Sequence, residues 1–270
     1  QARRLVASGH RTLLLCYNQL LADHIKITCL DSSASGQLLP MTFHELCIWR
    51  IRQASFVQRD LLSEVERDYP NHDRFDVHMP CALALSSEIL EDRFDAVVVD
   101  EGQDFKDTYW LALTYLLSDE DKSPFFVFLD SNQSIYSTEI EDIPVKESPF
   151  YLTFNCRNTK YIHDSAYRFF EGEDVDPPSE NPGTPIKTIE SDLQSTQAGM
   201  IRDEIGKLLD DQGIEENQVA VLICGANKDA FYREIEGTHL PSGHQWNIEG
   251  SAESTGVRVD TVKRFKGLEA

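Results

Sequence analysis

Six short apolar runs punctuate the chain: TLLLCY at 12–17, FDAVVVD at 94–100, FFVFLD at 125–130, YLTF at 151–154, VAVLIC at 219–224 and VRVDTV at 257–262. Each has the length of a strand. Within them apolar residues follow one another rather than alternating with polar ones, as in strands covered on both faces. Stretches of helical character lie between them, at 19–27, 107–117, 158–170 and 196–210. Strands alternating with helices predict an α/β fold with parallel sheets. Two segments read as loops: LDSSASGQLLP at 30–40, and EGEDVDPPSENPGTP at 171–185, whose five acidic residues and four prolines suit an exposed connection. The stretch EDIPVKESP at 141–149 has two prolines and mixed charges, and there the sequence divides into two α/β blocks, 1–146 and 147–270. Internal repeats and low-complexity tracts are not evident.

Composition narrows the class. A length of 270 residues with 41% hydrophobic content predicts about two globular domains with sizeable cores. No apolar run approaches the roughly 18 residues that a membrane span needs, and the opening QARRLVASGH lacks the layout of a signal peptide, so a soluble cytoplasmic protein without a membrane partner is expected. The six cysteines are scattered, without a CxxC pair or zinc-type spacing, and read as free thiols. A formal net charge of -21 argues against a surface that binds nucleic acid throughout. The charge is uneven, however: residues 1–60 hold seven basic residues against four acidic ones, and the remaining 210 hold 18 against 42. Any nucleic-acid contact therefore favours the first segment.

The chemistry concentrates in FDAVVVDEGQDF, an apolar strand that delivers Asp100 and Glu101 at its carboxyl end, where open α/β sheets bind ligands. Adjacent carboxylates suit a divided task, with Asp100 holding the water shell of Mg2+ on nucleotide phosphates and Glu101 orienting or deprotonating the attacking water. A bare Asp-Glu pair is also common as a solvated strand end. The longer pattern is more specific: DEGQDF resembles the Walker B motif of superfamily I helicases of the UvrD/Rep type.

Further stretches resemble motifs of that family in the family's order. FFVFLDSNQSIY is similar to the third motif, which implies that Gln133 senses the terminal phosphate and that Tyr136 lies towards a bound strand; an amide both donates and accepts, as a sensor must. LTFNCRNTKYIHD resembles the fourth motif, with Arg157 as an arginine finger whose rigid, permanently charged fork neutralises charge on a transferred phosphoryl group. Alternatively Arg157 is a helix-start arginine behind a capping Asn155. VDTVKRFKGLEA resembles the fifth motif, implying a backbone contact with nucleic acid for Thr261, close approach to phosphates for Gly267 and a ribose contact for Glu269. Lys263 stands where many relatives carry histidine. Upstream, RTLLLCYNQLLADHI and MTFHELC resemble the two early motifs that hold single-stranded DNA. There Asn18, Thr42 and His44 can bond phosphate or sugar, and Tyr17 and Phe43 either stack on bases or pack in the core.

The resemblance implies two RecA-like domains with parallel sheets, the first truncated at its N-terminus and carrying a small helical insertion at about 44–93. ATP and Mg2+ would bind between them, and single-stranded DNA (RNA remaining open) would be the partner. The pattern of LLLCYN, DEGQDF, NCRNT and RFKGLE together is that of UvrD-like helicases often joined to a nuclease-related domain. No GxxxxGK[ST] phosphate loop occurs. The chain starts at Gln1 and ends just after KGLE, so both ends read as cuts in a longer polypeptide that supplies the loop and a sixth motif, and the chain alone is expected to be inactive. Two rival readings stand beside this one: a non-catalytic helicase-fold or nucleic-acid binding module, and a Mg2+-dependent phosphohydrolase or nuclease, for which Asp104 is the further acidic ligand.

Overall fold

The structure is a computed structural model that describes residues 1–29, 36–130, 143–145, 147–170, 176–178, 181–225, 227–251 and 254–268. Strands β1 (Thr12–Cys16), β2 (Leu38–Thr42), β3 (Ala96–Val99) and β4 (Phe125–Val127) form a parallel sheet in the order β2-β1-β3-β4. Helix α1 (Ala2–Ala7) precedes β1, and α2 (Gln19–Thr28) leads from β1 towards β2. Between β2 and β3 lie α3 (Phe43–Phe56), α4 (Leu61–Asp68) and α5 (Met79–Ile89), and α6 (Asp107–Thr114) follows β3.

Side-chain alternation explains why the strand sequences are apolar throughout. Leu13, Leu15, Val97 and Val99 pack on Phe43, Phe105, Tyr109, Trp110 and Leu113, while Ala96 and Val98 join Ala2, Leu5, Leu38 and Phe126 on the opposite face. Both faces of the central strands are thus covered, as in parallel sheets generally. Phe43 is fully buried and stacks on Tyr109 with ring centroids 4.0 Å apart. Its ring belongs to the core.

A second parallel sheet contains β5 (Ala220–Ile223), β6 (Trp246–Ile248) and β7 (Val257–Thr261) in the order β5-β7-β6. Helices α8 (Gln194–Gly206) and α9 (Lys228–Glu236) pack with it, the short α10 (Val262–Phe265) follows β7, and α7 (Lys160–Ala166) precedes them in the chain. Val221, Ile223, Val257 and Val259 pack against Ala198, Ile205, Tyr232 and Ile235. Leu222 stays 41% exposed, so this sheet is covered less completely than the first.

The α/β fold with parallel sheets agrees with the alternation of runs. Three details differ. Part of the predicted 30–40 loop is β2, an edge strand; Pro40, which weakens strand propensity, is accommodated at an edge. The run YLTF at 151–154 joins neither sheet: Phe154 makes an isolated bridge to Asp176, and Tyr151 and Leu152 are exposed. Apolar strand character does not by itself provide a neighbour to pair with. Strand β6, only three residues long, is too short for periodicity to reveal. Among the described residues no helix is long and apolar enough to cross a membrane.

Helix α3 starts with a capping box. The Thr42 hydroxyl accepts from the Glu45 N–H at 3.1 Å, and the Glu45 carboxylate accepts from the Thr42 N–H at 2.8 Å. Thr42→Ala removes half of this reciprocal cap and should lower stability by about 1 kcal/mol. A urea titration checks this: the midpoint falls while the slope stays unchanged.

Candidate active site at the carboxyl edge of the first sheet

The strand order of the first sheet reverses between β1 and β3, and in open parallel sheets the crevice at such a switch point is where ligands bind. Asn18 follows β1 there, and Asp100 and Glu101 follow β3. The Asp100 N–H continues the sheet pairing by donating to Leu15 O at 2.8 Å, and the chain then turns sharply. Glu101 adopts left-handed backbone angles (φ 54°, ψ 44°), an uncommon conformation for a non-glycine residue that marks a constrained turn. Gly102 opens a short 3-10 turn, with its N–H bonded to Phe128 O at 2.9 Å. A Cβ at Gly102 would meet Val127 Cγ1 at 2.5 Å, so glycine lets this turn lie against the end of β4.

Side-chain bonds fix the carboxylates. Asp100 Oδ1 accepts from the Glu101 N–H at 3.1 Å. The buried Gln103 donates to Glu101 Oε2 at 2.6 Å and accepts the Asp130 N–H at 3.0 Å, tying the Glu101 carboxylate to the segment that leaves β4. Lys266, distant in sequence, places its Nζ 2.8 and 2.7 Å from the two Asp104 oxygens and 3.8 Å from Glu101 Oε2. The Lys266 and Asp104 side chains are 11% and 6% exposed, so this is a largely buried ion pair.

Burial raises the pKa of both Asp100 and Glu101 above the ordinary carboxylate range. For Asp100 the bond from Glu101 and the charge of Arg157 oppose the rise; for Glu101 the charge of Lys266 opposes it and that of Asp100 adds to it. Arg157 is exposed, in a turn where Asn155 Oδ1 accepts the N–H groups of Arg157 and Asn158, both at 3.1 Å. Asn155 thus caps a turn ahead of α7, whose own N-cap is Thr159. Gly267 (φ 82°), from the unit built on the second sheet, lies against the first unit, the one built on the first sheet: a Cβ there would come within 2.8 Å of Leu21 Cδ2 and 3.7 Å of Glu101 Oε1.

Asp100, Glu101 and Gly267 therefore gather around one corner, and Arg157 is near enough for its charge to act on Asp100. Gln133, Tyr136 and Glu269 lie outside the described residues. Gln103 and Lys266, which sequence reasoning did not select, are central to the geometry; both sit inside the quoted motifs DEGQDF and KGLE. Among the described residues no group of three or more His, Cys, Asp or Glu side chains could hold a metal ion. Asp104, the extra ligand a carboxylate-only nuclease would use, is bonded to Lys266 instead. Asp100 alone, working with waters and phosphate oxygens, matches the donor set that Mg2+ takes on nucleotides.

The residues proposed to contact nucleic acid are dispersed in role. Asn18 uses its carbonyl oxygen to cap α2 and its amide nitrogen to bond the second unit. The Thr42 hydroxyl is engaged in the capping box, and the Thr261 hydroxyl accepts from the Arg264 N–H at 3.3 Å to start α10. Tyr17 and His44 remain half-buried. The His44 ring lies 5.9 Å from Tyr17, 5.4 Å from the exposed Phe75 and 5.7 Å from Tyr109, in edge-on contacts.

Compared with known proteins, the chain matches no protein-family model and no curated protein.

Two outcomes test this geometry. Gly102→Ala should destabilise the fold by about 1–3 kcal/mol through overpacking against Val127, read as a lower thermal midpoint. Burial lowers the pKa of His44, against the pull of Asp76 and with help from Lys106, so the unfolded chain binds a proton more readily than the folded one. The stability this ring contributes is complete above its ordinary value of 6.5 and is lost as pH falls through the folded-state value. Thermal midpoints measured between about pH 7.5 and 5.5 should therefore fall less steeply in His44→Gln than in the unaltered chain.

Proposed function

We propose that this chain is part of an ATP-dependent superfamily I DNA helicase or translocase of the UvrD/Rep-like type, in which two RecA-like units grip ATP and move along single-stranded DNA. The observation that carries this reading is the meeting at one corner of Asp100, Glu101 and Asp104 from DEGQDF with Lys266 and Gly267 from KGLE, although 162 residues separate Asp104 from Lys266. These are two of the stretches that resemble family motifs, and the family likeness expects them to face one nucleotide. The charge of Arg157 is felt at Asp100, in keeping with a fourth-motif arginine directed at the same place.

In this reading Asp100 would hold Mg2+, which would supply charge neutralisation on the phosphates when bound. Glu101 takes a proton from the water that attacks the terminal phosphorus, and the bond to the leaving diphosphate oxygen breaks as the new bond forms. Gln103 fixes the orientation of the carboxylate. Arg157 offsets charge developing on the transferred group. Alternating closure and opening of the two units then converts each turnover into a step along the strand.

ATP hydrolysis, measured with and without single-stranded DNA, tests the proposal on this chain and on the longest natural polypeptide that contains it. The expected result is DNA-stimulated turnover in the longer polypeptide, reduced by roughly 10²–10⁴-fold in Glu101→Gln, the contribution typical of a general base. The 270-residue chain, which has no GxxxxGK[ST] loop, should show none. Absence of turnover in the longer polypeptide would favour a non-catalytic binding module.

A further inference from the structure

Asn18 joins two helix ends that belong to different units. Its Oδ1 accepts the N–H groups of Leu20 at 2.9 Å and Leu21 at 3.5 Å, capping the start of α2. Its Nδ2 lies 3.2, 2.8 and 3.0 Å from the carbonyl oxygens of Lys263, Arg264 and Lys266, at the end of α10. Helix ends leave such groups without intrahelical partners, donors at the start and acceptors at the finish. One amide, with an acceptor on one side and a donor on the other, serves both. The contact reads backbone carbonyls, and it is continued by Gly267, whose lack of a Cβ lets the chain lie against Leu21.

We propose that Asn18 is a positioning residue that docks the 262–268 segment onto the first unit, and that this docking, with the Lys266–Asp104 ion pair, sets the surroundings of Glu101 before any nucleotide enters. The sequence offers Asn18 as a nucleic-acid contact, and both ends of its amide are bonded within the protein. The docking stands independently of the substrate, whereas its effect on hydrolysis rests on the helicase reading above.

Asn18→Asp isolates the two halves of the amide. Aspartate keeps an oxygen for the Leu20 and Leu21 N–H groups and is as good a helix cap as asparagine, but it turns an acceptor where the donor faced three carbonyls. In amide hydrogen exchange of the 270-residue chain, the variant should leave the first turn of α2 protected as before and speed exchange over 263–268 by roughly tenfold or more, the order expected when hydrogen bonds that hold a segment in place are lost. Unchanged exchange over 263–268 would overturn the proposal. If the aspartate loosens the whole molecule, Asn18→Ser, which keeps a capping oxygen without the amide donor, repeats the comparison. Release of the segment by Lys266→Met, with both Asn18 variants silent, would likewise overturn it by assigning the docking to the ion pair. If Asn18→Asp frees the segment while the longer polypeptide shows no ATP turnover, the docking stands and the motor reading falls.

Discussion

Carboxylates at the end of a buried strand must be compensated. Asp100, Glu101 and Asp104 fall within one tight turn, in a setting where burial raises the pKa of the first two. Ions removed from water lose several kcal/mol of solvation each, and the loss is tolerable only with counter-charge and directed hydrogen bonds. The first unit supplies neutral donors to this turn: the Glu101 N–H for Asp100 and the Gln103 amide for Glu101. The buried cation, Lys266, comes from the second unit. Bringing the two units together is therefore an electrostatic matter as well as a packing one, because the cation that faces Asp104 comes from the other side.

The same turn is held from below by β4. Gly102 rests on Val127 and bonds Phe128, and Gln103 accepts the Asp130 N–H while its other end holds Glu101. The Glu101 carboxylate is thus tied to residues 127–130 through one amide side chain and one glycine. The left-handed backbone of Glu101 suits such coupling, since a strained position persists only where its surroundings over-determine it.

Much of this was legible in the sequence, and the reasons differ by level. The strands at 12–16 and 96–99 announce themselves because burial makes them continuously apolar, those at 125–127 and 220–223 are apolar though only partly buried, 257–261 is marked by Val257 and Val259, and Asp100 and Glu101 follow from the abrupt switch to charge. Pro40 obscured β2, and exposed Tyr151 and Leu152 show that an apolar run is not yet a strand. The partners of the corner were not legible. Lys266 lies inside a quoted motif, but pairing across 162 residues is set by the way two sheets meet, which local pattern does not encode. The sequence offers Asn18 as a hydrogen-bonding residue for phosphate or sugar, and in the fold its amide bonds the protein itself. What it bonds depends on a helix end that arrives from the other unit. Phe43 reads equally as a stacking or a core aromatic, and its complete burial against Tyr109 makes it core.

The two sides of the corner are unequal in rigidity. Strand β3 sits between β1 and β4, and its residues are packed on both faces by large clusters. The 262–268 segment emerges from a sheet with an exposed Leu222, and α10 is a four-residue helix with no buried side chain. Local opening is easiest where buried contacts are fewest. A ligand at the switch point would thus find Asp100 and Glu101 on a fixed frame and Lys266 and Gly267 on the part that yields. The 262–268 segment is held to the first sheet's side by the Asn18 amide, the Lys266–Asp104 ion pair and the contact of Gly267 with Leu21 rather than by an apolar core of its own.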